Sequence, residues 1–121
     1  MSLCIVSGGE VTRLAASAFM LAWTHSVEKI PWQEDWLVSP AGLSIVEARV
    51  KGTGAGMEMP EEARFDGQWW RWAPAMAPLR ELRLARSSAV PEGWRLCAAA
   101  GCRAIGGANA AGDVTVLMPC E

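Results

Sequence analysis

Apolar residues in this chain recur at every second position within short runs, and glycine or proline cuts each run off. In residues 19–26, Phe19, Leu21, Trp23 and His25 fall on one side and Met20, Ala22, Thr24 and Ser26 on the other, the two-residue period of a strand. Runs of β type also occupy residues 3–6, 11–15, 32–39, 43–51, 68–73, 94–97, 102–105 and 114–118. Between them stand turn signals such as Ser7-Gly8-Gly9-Glu10, Glu28-Lys29-Ile30-Pro31, Pro40-Ala41-Gly42 and Asp66-Gly67. Residues 43–51 change parity between Ile45 and Val46, in the manner of a β-bulge. Residues 79–88 are rich in helix formers, but Leu82 and Leu84 alternate with Arg83 after two prolines, and we read a strand there. Many short strands joined by glycine-rich turns predict an all-β fold, a small β-barrel or β-sandwich of roughly eight to ten short antiparallel strands. No internal repeat or linker interrupts the pattern, so residues 1–121 read as a single domain.

Composition narrows the function classes. Hydrophobic residues make up 51% of the chain and charged residues 20%, enough apolar surface to form a core. The net charge is −2, with no basic field to attract a phosphate backbone, so nucleic acid is not expected as a partner. No apolar run approaches the ~18 residues of a membrane-spanning helix. Residues 1–6 lack a basic segment and turn at once into Ser7-Gly8-Gly9, which is not the pattern of a secretory signal. The chain is therefore either cytoplasmic or the mature form of an exported protein whose leader has been removed.

The four cysteines bear on that choice. Cys97 and Cys102 flank a four-residue segment that would make a hairpin loop and set the two sulfurs across a strand pair. A bridge between Cys4 and Cys120 would tie the two ends together. Reduced buried thiols are the alternative, and the spacing is poor for zinc.

The densest polar and aromatic cluster lies in residues 20–36, where Trp23-Thr24-His25-Ser26-Val27-Glu28 precedes Trp32-Gln33-Glu34-Asp35-Trp36. If two strands pair there, His25 lies opposite Trp32, Gln33 or Glu34, and opposite Glu34 it would form a charge-assisted pair. We take His25, Ser26, Glu28 and Glu34 as candidate ligand- or partner-binding residues, weighed against a purely structural histidine. Ser26 cannot serve His25 as a nucleophile, because adjacent strand residues face opposite ways, and no catalytic residue is assigned. No Gly-x-Ser-x-Gly elbow is present. A single histidine excludes a multi-histidine metal site, and no cofactor is expected. The glycines of residues 52–58 do not have dinucleotide spacing, but Gly54, Gly56 and Glu58 would make a binding loop of exposed N–H groups. Seven tryptophans, among them Trp69-Trp70-Arg71-Trp72, either fill the core in place of absent tyrosine or supply a sugar-stacking platform built on Trp70 and Trp72. A carbohydrate-binding module and a metal-dependent hydrolase centred on His25 are the rival readings.

Residues 23–29 with Trp32 and Glu34-Asp35-Trp36, Glu47-Ala48-Arg49-Val50 running into Gly52-x-Gly54-Ala55-Gly56-Met57-Glu58, and Trp94-Arg95-Leu96-Cys97 with Cys102-Arg103 resemble the bacterial family DUF1850. The resemblance implies a small domain, often preceded by a signal or a single membrane segment and encoded beside TRAP-type transporters of the TAXI class. It implies a periplasmic or otherwise extracytoplasmic location and, as partner, a transporter component or its solute. It supplies no reaction.

Overall fold

The computed structural model describes residues 1–25, 29–52, 59–87, 90–107 and 113–121. Among them are eleven strands: β1 (Ser2–Ser7), β2 (Glu10–Leu14), β3 (Ala18–Thr24), β4 (Pro31–Ser39), β5 (Gly42–Lys51), β6 (Arg64–Phe65), β7 (Trp69–Trp72), β8 (Leu82–Ala85), β9 (Trp94–Ala98), β10 (Gly101–Ile105) and β11 (Val114–Cys120). They form two antiparallel sheets, one of four strands in the order β2-β1-β11-β8 and one of seven in the order β10-β9-β3-β4-β5-β7-β6. The fold is a sandwich, not a closed barrel, and slightly richer in strands than the turn count suggested. Among the described residues no helix is long and apolar enough to cross a membrane.

The core follows from strand alternation. β1 sends Leu3 and Ile5 inward and β11 sends Leu117, where they meet Phe19 and Leu21 of β3, Trp36 and Val38 of β4 and Leu96 of β9. Phe19 and Trp36 face each other across β3 and β4 with parallel rings 6.3 Å apart. Leu21 and Leu96 are a cross-strand pair at 1% and 0% exposure. Removing such side chains from water stabilises by about 1.5–3 kcal/mol each.

Local chemistry sets the remaining geometry. The parity change in β5 is a bulge: Asp35 pairs with Glu47 and Trp36 with Ile45, leaving Val46 unopposed and exposed. Residues 79–88 contain β8, shorter than the segment read from sequence, preceded by a separate bridge in which Leu43 and Leu79 exchange hydrogen bonds of 2.7 and 2.9 Å. Gly42 (φ 131°) admits this bridge, because a Cβ there would run into the Leu79 carbonyl. The Asp66-Gly67 hairpin is held by Asp66 Oδ1, which accepts from the Gln68 and Trp69 amides at 2.8 and 2.7 Å.

All four cysteines are bridged. Cys97 and Cys102 stand directly opposite each other and join β9 to β10, and Cys4 and Cys120 join β1 to β11.

Candidate functional site

The β3–β4 hairpin is paired from Ala18↔Leu37 to Thr24↔Pro31. Its last rung before the turn is a backbone contact, with the His25 amide donating to the Ile30 carbonyl at 3.3 Å and the Lys29 amide donating to the His25 carbonyl at 2.7 Å. His25 therefore stands opposite Ile30, not opposite Trp32, Gln33 or Glu34. Two local features shift the register. Lys29 takes a left-handed conformation (φ 55°), which tightens the turn, and Pro31 opens β4 instead of closing the loop. Glu34 instead pairs with Leu21, four residues from His25 and about 13 Å along the strand. The His25–Glu34 pair that one of the three possible registers would have given is therefore not formed. Ser26, Glu28, Gly54, Gly56 and Glu58 lie outside the described residues.

Glu34 belongs to the interior face. Its strand neighbours are Leu21 and Ala48, and Trp36 Nε1 donates to its Oε1 at 3.1 Å. Burial pushes its carboxyl above the ordinary carboxylate range, against the lowering effect of the Trp36 bond. Trp70 and Trp72 pair with Val50 and Ala48, both buried, so the two indoles also look inward, and Trp70 packs on Phe65 at 5.2 Å. They do not form an outward platform. Trp69 is on the opposite face, under the Lys51 ammonium.

The exterior face of the seven-stranded sheet carries the polar chemistry. Register places Ala104, Arg95, Ala22, Gln33, Arg49, Arg71 and Arg64 in one continuous row across it. Arg49 is the hub of the central part. It grips Asp35 through two nitrogens at 2.7 and 3.2 Å, donates through Nε to Gln33 at 2.7 Å, and reaches Glu47 at 3.1 Å. Arg71 continues the chain to Glu47 and Asp66, both at 2.6 Å, and holds the Asp66 carboxyl down to about 2, with help from the Trp69 and Gln68 amides.

At the other end of the row the sheet opens into a groove of about 540 Å³. Pairing of β3 with β9 stops at Ala22↔Arg95, and the strands part beyond it. Ala22 leaves a low floor between two long side chains, Gln33 on one side and Arg95 on the other. Thr24 and Trp32 continue the β3–β4 wall, and Trp94 and Arg103 the opposite one. Gly106 (φ 65°) seats Trp94: a Cβ there would lie 2.6 Å from Cε3 of the indole. The Cys97–Cys102 bridge fixes the β9–β10 hairpin, on which Arg95 faces the exterior and Arg103, opposite the buried Leu96, the other side, and Cys102 itself borders the groove. Arg95 and Arg103, like Arg13, Arg64 and Arg80, have no ion-pair partner among the described residues, whereas Arg49, Arg71, Arg83 and Arg86 do. Glu92 is the one carboxylate on the lining. No group of three or more His, Cys, Asp or Glu side chains among the described residues is placed to hold a metal ion.

Of the candidate binding residues read from the sequence, His25 and Glu34 stand four residues apart along the hairpin and neither borders the groove, and the other five lie outside the described residues. Trp94, Arg95 and Arg103 carried a signal, since they fall in segments shared with the resembled family, but their approach to Ala22 depends on a β3–β9 pairing between distant parts of the chain. No curated protein and no solved structure matches the chain significantly. The model of a family described as a domain of unknown function, DUF1850, matches residues 19–105, which include every wall of the groove and most of the chain, and the protein belongs to that family.

Proposed function

We propose that the protein is a non-enzymatic, extracytoplasmic binding domain that serves a TRAP-type transporter of the TAXI class by holding its solute, or a component of it, in the β3–β9 groove. The observation that carries the reading is the groove itself. A volume of about 540 Å³ lies in the range of small-molecule sites, and the Arg95 guanidinium and the Gln33 amide flank its small-residue floor at Ala22. Both disulfides support an oxidising compartment, because such bridges persist outside the cytoplasm and are rare within it. The transporter context rests on the family resemblance, whose more specific segments are His25-Ser26-Val27 and Gly54-Ala55-Gly56.

Ala22→Trp fills the floor from the exterior face and leaves the core alone. In cells that depend on the neighbouring transport system, this variant should lower solute uptake about tenfold or more while the secreted domain keeps its β-sheet circular dichroism and thermal midpoint. Full uptake with a folded Ala22→Trp domain overturns the proposal. A thiol titration of the natively exported protein should find no free cysteine, and two or four free thiols would overturn the location.

A further inference from the structure

We infer that the Cys97–Cys102 bridge is a thiol-exchange site, opened by a dithiol that attacks Cys102 from the free edge of the seven-stranded sheet and expels Cys97. The resting form of the site is the disulfide, and the inference holds whether or not the groove binds a solute.

What decides reactivity here is the line of approach. A thiolate must reach one sulfur in line with the S–S bond, from the side opposite the sulfur that leaves, so access at each end selects the target. Cys97 and Cys102 are a directly opposed pair, and their bond runs across the strands from β9 to β10. β10 is the edge strand, and among the described residues no strand lies beyond it. Gly101, Cys102, Arg103 and Ala104 are all exposed, so the line to Cys102 is open. The line to Cys97 passes over β3, where Met20 stands in register with it on the same face, and Cys97 is half-buried. Arg95 shares that face two residues from Cys97, about 7 Å along the strand, so the departing thiolate forms near a guanidinium that stabilises it. The terminal bridge lies deeper. Cys4 is 8% exposed on β1, between β2 and β11, with Arg13 of β2 beside it, and Cys120 is half-buried.

The exchange needs no reagent beyond the dithiol. One donor thiolate forms a bond to Cys102 Sγ as the Cys97–Cys102 bond breaks, and Cys97 leaves with the electron pair as a thiolate. The second donor thiolate then attacks the donor sulfur of the mixed disulfide and releases Cys102. The donor is oxidised to its disulfide and the cysteine pair is reduced by the same two electrons. The fold survives the step, because β9 stays paired through its backbone with both β10 and β3, and Cys4–Cys120 still ties β1 to β11.

The test uses the oxidised, folded domain and two dithiols, dithiothreitol and a reduced thioredoxin-type protein. Samples are quenched in acid, alkylated and mapped by peptide mass spectrometry. With dithiothreitol, Cys97 and Cys102 should become alkylated at least about tenfold faster than Cys4 and Cys120, with the β-sheet circular dichroism unchanged. The rate should not rise in urea below the unfolding transition. Opening by dithiothreitol alone assigns the site to small dithiols, and opening by both donors assigns it to a protein dithiol as well. Sulfite, which stays on the sulfur it attacks, reads the direction: the S-sulfonate should be found on Cys102 and the free thiol on Cys97. Met20→Ala clears the line over β3 and should raise the share of S-sulfonate at Cys97. Equal rates for the two bridges, prior opening of Cys4–Cys120, or a rate that follows global unfolding overturns the exchange site. S-sulfonate carried equally or mainly by Cys97 in the wild-type domain, or an unchanged share in Met20→Ala, overturns the direction of attack.

Discussion

The two disulfides should differ in what their loss costs, and the difference tests how they stabilise this fold. Cys4 and Cys120 are 116 residues apart in sequence, and Cys97 and Cys102 only 5. If a bridge acts by restricting the unfolded chain, its contribution grows with the logarithm of the loop it closes, and gives about 5 kcal/mol for the terminal bridge and about 2 kcal/mol for the hairpin bridge. At about 2.1 cal/mol/K per residue, a chain of 121 residues loses about 4 °C of thermal midpoint per kcal/mol. Cys4→Ala with Cys120→Ala should therefore lower the midpoint by about 20 °C, and Cys97→Ala with Cys102→Ala by about 8 °C.

In the folded protein the two bridges look alike. Each joins adjacent antiparallel strands, β1 to β11 and β9 to β10, whose backbones are already hydrogen-bonded. An account based only on native contacts thus expects similar losses from the two pairs. Paired alanine variants avoid stray thiols, and urea unfolding followed by tryptophan fluorescence and far-UV circular dichroism gives both free energies on one scale. Equal losses, or a larger loss from the hairpin pair, would refute the unfolded-state argument.

Two further substitutions probe the sheet itself. Glu34 has its carboxyl pKa raised by burial, so the folded state holds its proton more tightly than the unfolded state. Stability from this group is full at acidic pH and falls as pH rises through the unfolded value toward the raised folded one; Glu34→Gln should stabilise at pH 7, with the gain disappearing below about pH 4, and a variant less stable than wild type at pH 7 would contradict the assignment. Arg49→Lys keeps the charge but loses the two-nitrogen grip on Asp35 and the bond to Gln33, and at 42% exposure of Asp35 the loss should be modest, about 1 kcal/mol. A double-mutant cycle with Asp35→Asn that shows no coupling would remove Arg49 as the hub of the network.

What the sequence made legible was whatever local pattern determines. Alternation in residues 19–26 placed Phe19, Leu21 and Trp23 on one face, the parity slip at Val46 marked the bulge, and Asp66-Gly67 marked its hairpin. It also put Trp70 and Trp72 on one face, although not which face looks inward. The cysteine spacing admitted both bridges without deciding between bridge and thiol, since only the register of β9 with β10 and of β1 with β11 brings the sulfurs together. The position of His25 was lost to a turn: a positive φ at Lys29 and a proline at the start of β4 moved the last rung to Ile30, and no periodicity records that. The groove was illegible for a different reason. It exists because Arg95 comes to rest beside Ala22, a neighbour relation between segments more than seventy residues apart that leaves no spacing to read.

The same alternation that builds the core determines where function can sit. With Leu21 and Trp23 directed inward, Ala22 must point out, and the register that pairs Leu21 with Leu96 necessarily pairs Ala22 with Arg95. A one-residue slip of β9 against β3 would turn Leu96 to the surface and Arg95 into the sandwich, so the burial that fixes the core also fixes the guanidinium at the edge of the groove. The family match covers β4 through β10 and nearly all of β3, and thus almost the whole seven-stranded sheet, while β1, β2 and β11 of the smaller sheet fall outside it. The smaller sheet supplies Leu3, Ile5 and Leu117 as the opposing half of the core, a demand that many apolar sequences can satisfy. Arg95, Ala22 and Gln33 in register satisfy a narrower one, and the exterior face of the larger sheet is where a ligand of this domain is to be sought.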